Sequence, residues 1–144
     1  MKKDSKHIFT NVVHSASELK QHLGCWEKLA RNASEPNIFY EPSPLLAALN
    51  NANKNLAFAC LLVFYKDASD QCGKGQLIGL FPFQYQKENQ WPSCGIYQTF
   101  THHHCYLSTP LVHKERITET LNCFFDWMNS TPNGVKLFRL HRMN

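Results

Sequence analysis

The spacing of apolar residues divides the chain into a helical opening, an extended middle and a helix–strand close. Leu19, Leu23, Trp26 and Ala30 recur at offsets of four, seven and eleven, which is one face of a helix. Ser15 precedes them with Glu18 three residues on, the pattern of a capping box. The helix so predicted ends near Asn32, ahead of Pro36, and Gly24 weakens its middle. A second helix follows Glu41-Pro42-Ser43-Pro44, with Ser43 as cap and Pro44 at the first helical position, where a missing N–H costs nothing. Leu45, Leu46, Ala48 and Leu49 form its short stripe, and Asn50-Asn51 closes it.

The middle reads as β. Leu56 to Tyr65 is a continuous apolar run, as expected of a strand buried on both faces. Lys66 to Gly75 is polar and reads as a hairpin loop, and Gln76 to Tyr85 returns as a second strand. Pro82 cannot donate to a ladder, so this strand is expected to bulge or lie at an edge there. A third extended segment covers Gly95 to Phe100. The close is stronger: Ile117, Leu121, Phe124, Phe125 and Met128 make one helical face within Lys114–Asn129. Thr131-Pro132-Asn133-Gly134 stops it, and Val135 to Leu140 is a last strand. The predicted order is α-α-β-β-β-α-β, an α/β fold (α+β) with residues 1–144 as one domain.

Composition changes this picture little. At 144 residues with 43% apolar and 18% charged side chains, the chain can bury its own core without a metal or disulfide staple. The net charge of +4 lacks the dense basic clustering of a nucleic-acid binder, so no nucleic-acid partner is expected. No window approaches the roughly 18 apolar residues of a membrane span, and no apolar run follows the charged start, so neither membrane nor signal peptide is expected. The reading is a cytoplasmic protein with reduced thiols. Cys60 and Cys123 fall in apolar stretches and read as small core residues.

Candidate chemistry gathers in one place. Thr101-His102-His103-His104-Cys105 offers imidazole and thiolate, ligands for a hydrolytic zinc. Successive residues of an extended segment face opposite ways, however, and no carboxylate base lies nearby, so no metal is expected. Cys105 beside His104 has the composition of a thiol–base pair without the flanking signature of a cysteine hydrolase. Neither GxxxxGK[ST] nor GxGxxG occurs, which excludes the common nucleotide loops. Phe81, Phe83, Tyr85, Tyr97 and Phe100 could stack bases, yet strands carry aromatics for packing.

Four stretches taken together resemble a known family. They are Trp26-Glu27-Lys28-Leu29, Phe39-Tyr40-Glu41-Pro42 running into Leu45-Leu46-Ala47-Ala48-Leu49, Gln76 to Phe83, and His104 to Val112. In this order and spacing the chain resembles the N-terminal half of GNAT-superfamily acetyltransferases of the cellulose-biosynthesis (CelD-like or BioF2-like, FemAB-related) type. The resemblance implies a GNAT-like, mostly antiparallel mixed sheet flanked by helices, and a second GNAT-like half as partner, with a homo-oligomer as the alternative. It also implies acetyl-CoA or another acyl-CoA as donor and a small-molecule amine or hydroxyl as acceptor. The family's glycine-bearing pyrophosphate loop is missing: Val112-His113-Lys114-Glu115-Arg116 has no glycine, which assigns the donor to the other half. This half is then expected to be inactive alone and to supply part of the acceptor groove. His104 is the proton acceptor implied, with His102, Tyr106 and Ser108 lining the cleft. The rival readings are a stand-alone, non-catalytic binding or dimerisation module and a metal hydrolase built on the histidine cluster.

Overall fold

In the computed structural model, residues 7–52, 57–67, 75–87, 95–102, 105–130 and 137–140 are described. The chain opens with a strand that its sequence does not announce, β1 (Ile8–Val13), paired antiparallel with β2 (Phe58–Tyr65) from Ile8–Tyr65 to Val13–Cys60. β1 is an edge strand and largely exposed, so it has neither the unbroken apolar run nor the alternation that marks a buried strand.

The Ser15 half of the capping box forms, and Glu18 reaches back one residue further than the box requires. Glu18 N–H donates to Ser15 Oγ at 3.2 Å, while the Glu18 carboxylate accepts from His14 N–H at 3.3 Å. The expected single helix is nonetheless two: α1 (Ala16–Lys20) and α2 (Leu23–Arg31). The break precedes Gly24, at Gln21–His22, where N–H groups reach back only three residues, to Glu18 and Leu19. This turn leaves Leu19 and Trp26 fully buried and Leu23 exposed. A short 3-10 turn, Ile38–Tyr40, delivers the chain into α3 (Pro42–Asn50) two residues earlier than expected. Glu41, not Ser43, stands at the cap, and Pro42 is the first helical residue.

β2 is central and buried along nearly its whole length, as its sequence predicts. β3 (Gln76–Lys87) returns beside it and then changes partners along its far side. β4 (Gly95–Thr99) pairs with Phe83–Lys87, whereas β5 (Leu111–Val112) pairs with Gly79–Leu80. β6 (Leu137–Arg139) completes the sheet parallel to β4, after α4 (Ile117–Ser130) has crossed one face. The order β1-β2-β3-β4-β6, with β5 beside β3, is mixed and mostly antiparallel, the expected class.

Pro82 lies neither at an edge nor at a bulge. Its carbonyl accepts from Phe100 N–H at 3.1 Å, so its nitrogen points to the same side, into the gap between the end of β4 and the start of β5. The bulge is four residues earlier: Val63 pairs with Gly79 and Phe64 with Leu77, leaving Ile78 as the extra residue. Beyond the bulge, Leu80 joins Leu19, Trp26, Leu29 and Leu45 under α1–α3, while Ile78, Phe81 and Phe83 pack with Phe124 under α4.

At the bulge α4 comes close enough to need a missing side chain. A Cβ on Gly79 would stand 2.5 Å from Thr120 Cγ2 and 2.9 Å from Phe81 Cε2. Gly79→Ala is therefore expected to destabilise the fold by about 1–3 kcal/mol, the usual cost of overpacking. Urea unfolding measures it, and an unchanged midpoint would mean that α4 is free to shift.

Candidate functional site

The gap in the sheet is closed by the loop between β4 and β5, and three buried side chains of the N-terminal layer fix that loop. Trp26 Nε1 donates to the carbonyl of Tyr40 at 2.8 Å, setting the 3-10 turn. The Tyr40 hydroxyl in turn donates to the carbonyl of Phe100 at 2.7 Å, where β4 ends. Asn37 turns its side-chain oxygen to Phe39 N–H and donates through Nδ2 to the carbonyls of Leu107 (3.1 Å) and Thr109 (2.9 Å). These are backbone acceptors that have left the sheet ladder, and Asn37 satisfies two of them from a buried position.

The residues the sequence singles out sit on this loop at different depths. His102 is half-buried and lies 6.1 Å from the Phe100 ring, and its carbonyl accepts from Cys105 N–H at 2.9 Å. Tyr106 is 74% exposed and meets Phe39 edge-on at 6.0 Å. Ser108 is fully buried and accepts from the Thr99 hydroxyl at 3.3 Å, beneath the loop surface. Cys105 is buried too, its thiol donating to the Leu107 carbonyl at 3.2 Å. His103, His104 and His141 lie outside the described residues. Among the described residues no three His, Cys, Asp or Glu side chains converge. Cys60 is a buried core residue and Cys123 a half-buried one, as expected, and burial raises both thiols above their ordinary range.

Burial also raises the Tyr40 phenol far above its ordinary value, helped by the nearby Cys105 and Cys60 thiols and opposed by Ser108. Tyr40 is thus a hydrogen-bond donor held neutral, not a proton acceptor.

Behind the loop, on the α4 side, the gap opens into an apolar groove of about 410 Å³. Phe81 from β3, Val112 from β5, and Leu121, Phe124, Phe125 and Met128 from α4 form most of its walls. Thr109 and Pro110 bring the loop to it, Ser34 and Glu35 form a rim, and Leu140 lies at the end beyond β6. Phe125 and Leu140 keep more than half of their surface exposed. His102, Tyr106 and Ser108 are not among its walls. The aromatic residues of β3 turn into packing: Phe81 stacks on Phe124 at 4.4 Å and Phe83 meets Trp127 at 5.5 Å.

The turn before α4 holds the glycine-free segment Val112 to Arg116. Its backbone N–H groups are spent internally: His113 on Ile78 O, Lys114 on Asn32 O, Glu115 on His113 Nδ1 and Arg116 on His113 O. The guanidinium of Arg116 pairs with Glu119 at 2.8 Å and lies 3.5 Å over the Tyr65 ring. Such a turn does not fit a pyrophosphate, which needs free N–H groups.

The sequence reading missed Asn37, Glu35 and the groove. The signal for Asn37 was local, an Asn two residues before Phe39 in the arrangement of an Asx turn. The groove carries no such signal, because its walls come from five separated segments.

No protein-family model and no curated protein matches the chain. Among solved structures, the ribosomal-protein-alanine N-acetyltransferase from Brucella melitensis biovar Abortus 2308 is similar with a TM-score of 0.47 and 12% identity, over 95% of this chain and 81% of that one.

Two measurements test the clamp. Asn37→Ala removes the Nδ2 donor from the buried Thr109 carbonyl and leaves the Leu107 carbonyl with the Cys105 thiol, so it is expected to cost about 1–3 kcal/mol, the penalty for one buried group that loses its partner. A loss below about 1 kcal/mol in urea would show that the loop holds itself. Tyr40 makes stability depend on alkaline pH. Its folded pKa lies above the unfolded value of about 10, so its contribution is complete below that pH and is lost as pH rises beyond it. Tyr40 is expected to contribute a loss of about 1.4 kcal/mol per pH unit above pH 10, and Tyr40→Phe should lower the slope by that amount, leaving the share of the buried Cys60 thiol. An identical slope in the variant would assign it to another group.

Proposed function

We propose that the chain is the N-terminal half of an acyl-CoA-dependent N-acyltransferase of the GNAT type, CelD-like or BioF2-like, and that it supplies the acceptor side of the active site. The observation that carries this reading is the apolar groove at the gap between β4 and β5, walled by Phe81, Val112 and α4. Acyl transfer asks for an acceptor held in a water-poor, preorganised place beside the reactive thioester. A groove of this size falls in the range that encloses small molecules.

The roles along the loop follow its depth. Thr109 and Pro110 touch the groove, while Ser108 supports them from below through Thr99. His102 and Tyr106 remain near the surface, where a second half could meet them, and His104 is the proton acceptor we assign for the attacking amine or hydroxyl. The acyl-CoA belongs to the second half, since the 113–116 amides here are already engaged. That half, with the loop docked on it, is the partner proposed, and the site of action is cytoplasmic.

A second reading has one observation in its favour. The edge strand β1 carries no charge and no proline to blunt it, so a stand-alone module could cover that edge with a second copy of itself.

The division of labour is tested with the chain alone. In equilibrium dialysis it is expected to show no saturable binding of acetyl-CoA below the millimolar range, and no CoA thiol should appear with a panel of primary amines and alcohols. Saturable binding with turnover would place a complete donor site in this chain and end the half-enzyme reading.

A further inference from the structure

The groove has a chemical asymmetry that narrows its ligand. Its walls are aliphatic and aromatic side chains almost throughout, and among the described residues that line it Glu35 alone carries a charge. Glu35 is exposed, and it makes no ion pair among the described residues. Its place is structurally fixed: Ala33 bridges to His113 and Ser34 N–H donates to Val112 O at 2.8 Å, so the segment is tied along β5 next to the groove wall.

From this we infer that the groove takes an amine carrying an unbranched apolar tail of roughly ten carbons, its ammonium held at the rim by Glu35. The inference rests on the acceptor-groove reading and names the acceptor class for it. Three physical points lead there. At about 30 Å³ per small group, the 410 Å³ groove holds on the order of a dozen non-hydrogen atoms. Its apolar walls favour methylene over any polar body, by about fourfold in affinity for each methylene buried. A lone carboxylate at the mouth attracts a cationic head, is indifferent to a hydroxyl and repels a second carboxylate. A fatty acid or other anionic amphiphile is thereby disfavoured. Tyr106, Ser108 and the rest of the loop need play no part in this selection, because it happens at Glu35.

The test uses the whole chain and three probes of one length: decylamine, 1-decanol and decanoate, titrated calorimetrically at neutral pH and low salt. Decylamine is expected to bind about fivefold tighter than 1-decanol, the upper range for an exposed ion pair, with decanoate weakest. Raising salt should shrink the amine's advantage. Glu35→Gln, a change on the surface that leaves the core intact, should bring amine and alcohol to the same affinity. In methyl NMR spectra, Met128 and Val112 should shift with each probe that binds. Equal binding of amine and alcohol, a preference that survives Glu35→Gln, or decanoate as the tightest ligand would each overturn the amine assignment while leaving an apolar acceptor groove in place. If no probe moves the Met128 and Val112 methyls, both the amine assignment and the acceptor-groove reading fall.

Discussion

The hydrogen bonds from Tyr40 and Asn37 to the loop after β4 are the constraint on which the rest of the molecule depends. β3 runs the width of the sheet, but its far side is served by two short strands, and at Pro82 it has no N–H to offer. The described residues between them, 100–102 and 105–110, leave the ladder and still find partners for their carbonyls. Tyr40 takes Phe100, and Asn37 takes Leu107 and Thr109. With these bonds made, the loop stands off the sheet and the space behind it becomes a groove. Without them, the buried Phe100 and Thr109 carbonyls would lose these donors, and Leu107 would keep only the Cys105 thiol. The N-terminal layer thus shapes a cavity on the opposite face of the sheet.

How much of this is legible in the sequence depends on where each signal comes from. β2 was readable because it is buried on both faces, and a strand in that position is apolar without interruption. α4 was readable because one face packs and the other is solvated, which imposes the helical period. β1 was not, since an exposed edge imposes neither pattern. Pro82 was read as a local defect, whereas its meaning is set by where β4 stops and β5 starts, a tertiary fact. The bulge at Ile78 is likewise a matter of pairing register, and it lies beside the close approach of Thr120 to Gly79. The loop His102–Thr109 was read as the lining of an acceptor cleft, and sequence spacing could not rank its residues by depth. Ser108 and Tyr106 are two positions apart, one fully buried and the other 74% exposed.

The functional proposal follows the same geometry. The groove is apolar and partly enclosed, which is what the proposal asks of an acceptor site, and Glu35 is the charged residue among its described lining. What the turn before the last helix does not supply is a cradle for a pyrophosphate. The 113–116 turn, which in position precedes the last helix, uses its amides to lock β5, Asn32 and its own backbone together. An acceptor side without a donor side makes chemical sense as one part of a two-part active site, with the loop at their junction.

That claim is tested most directly by reading the coding DNA beyond Asn144 for about one further domain length, in all three forward frames. The account predicts a second GNAT-like stretch with a glycine-bearing pyrophosphate loop at the opening of a helix. A stop with no such stretch in any frame would contradict it, and would leave the groove as the binding site of a protein that is not an acyltransferase.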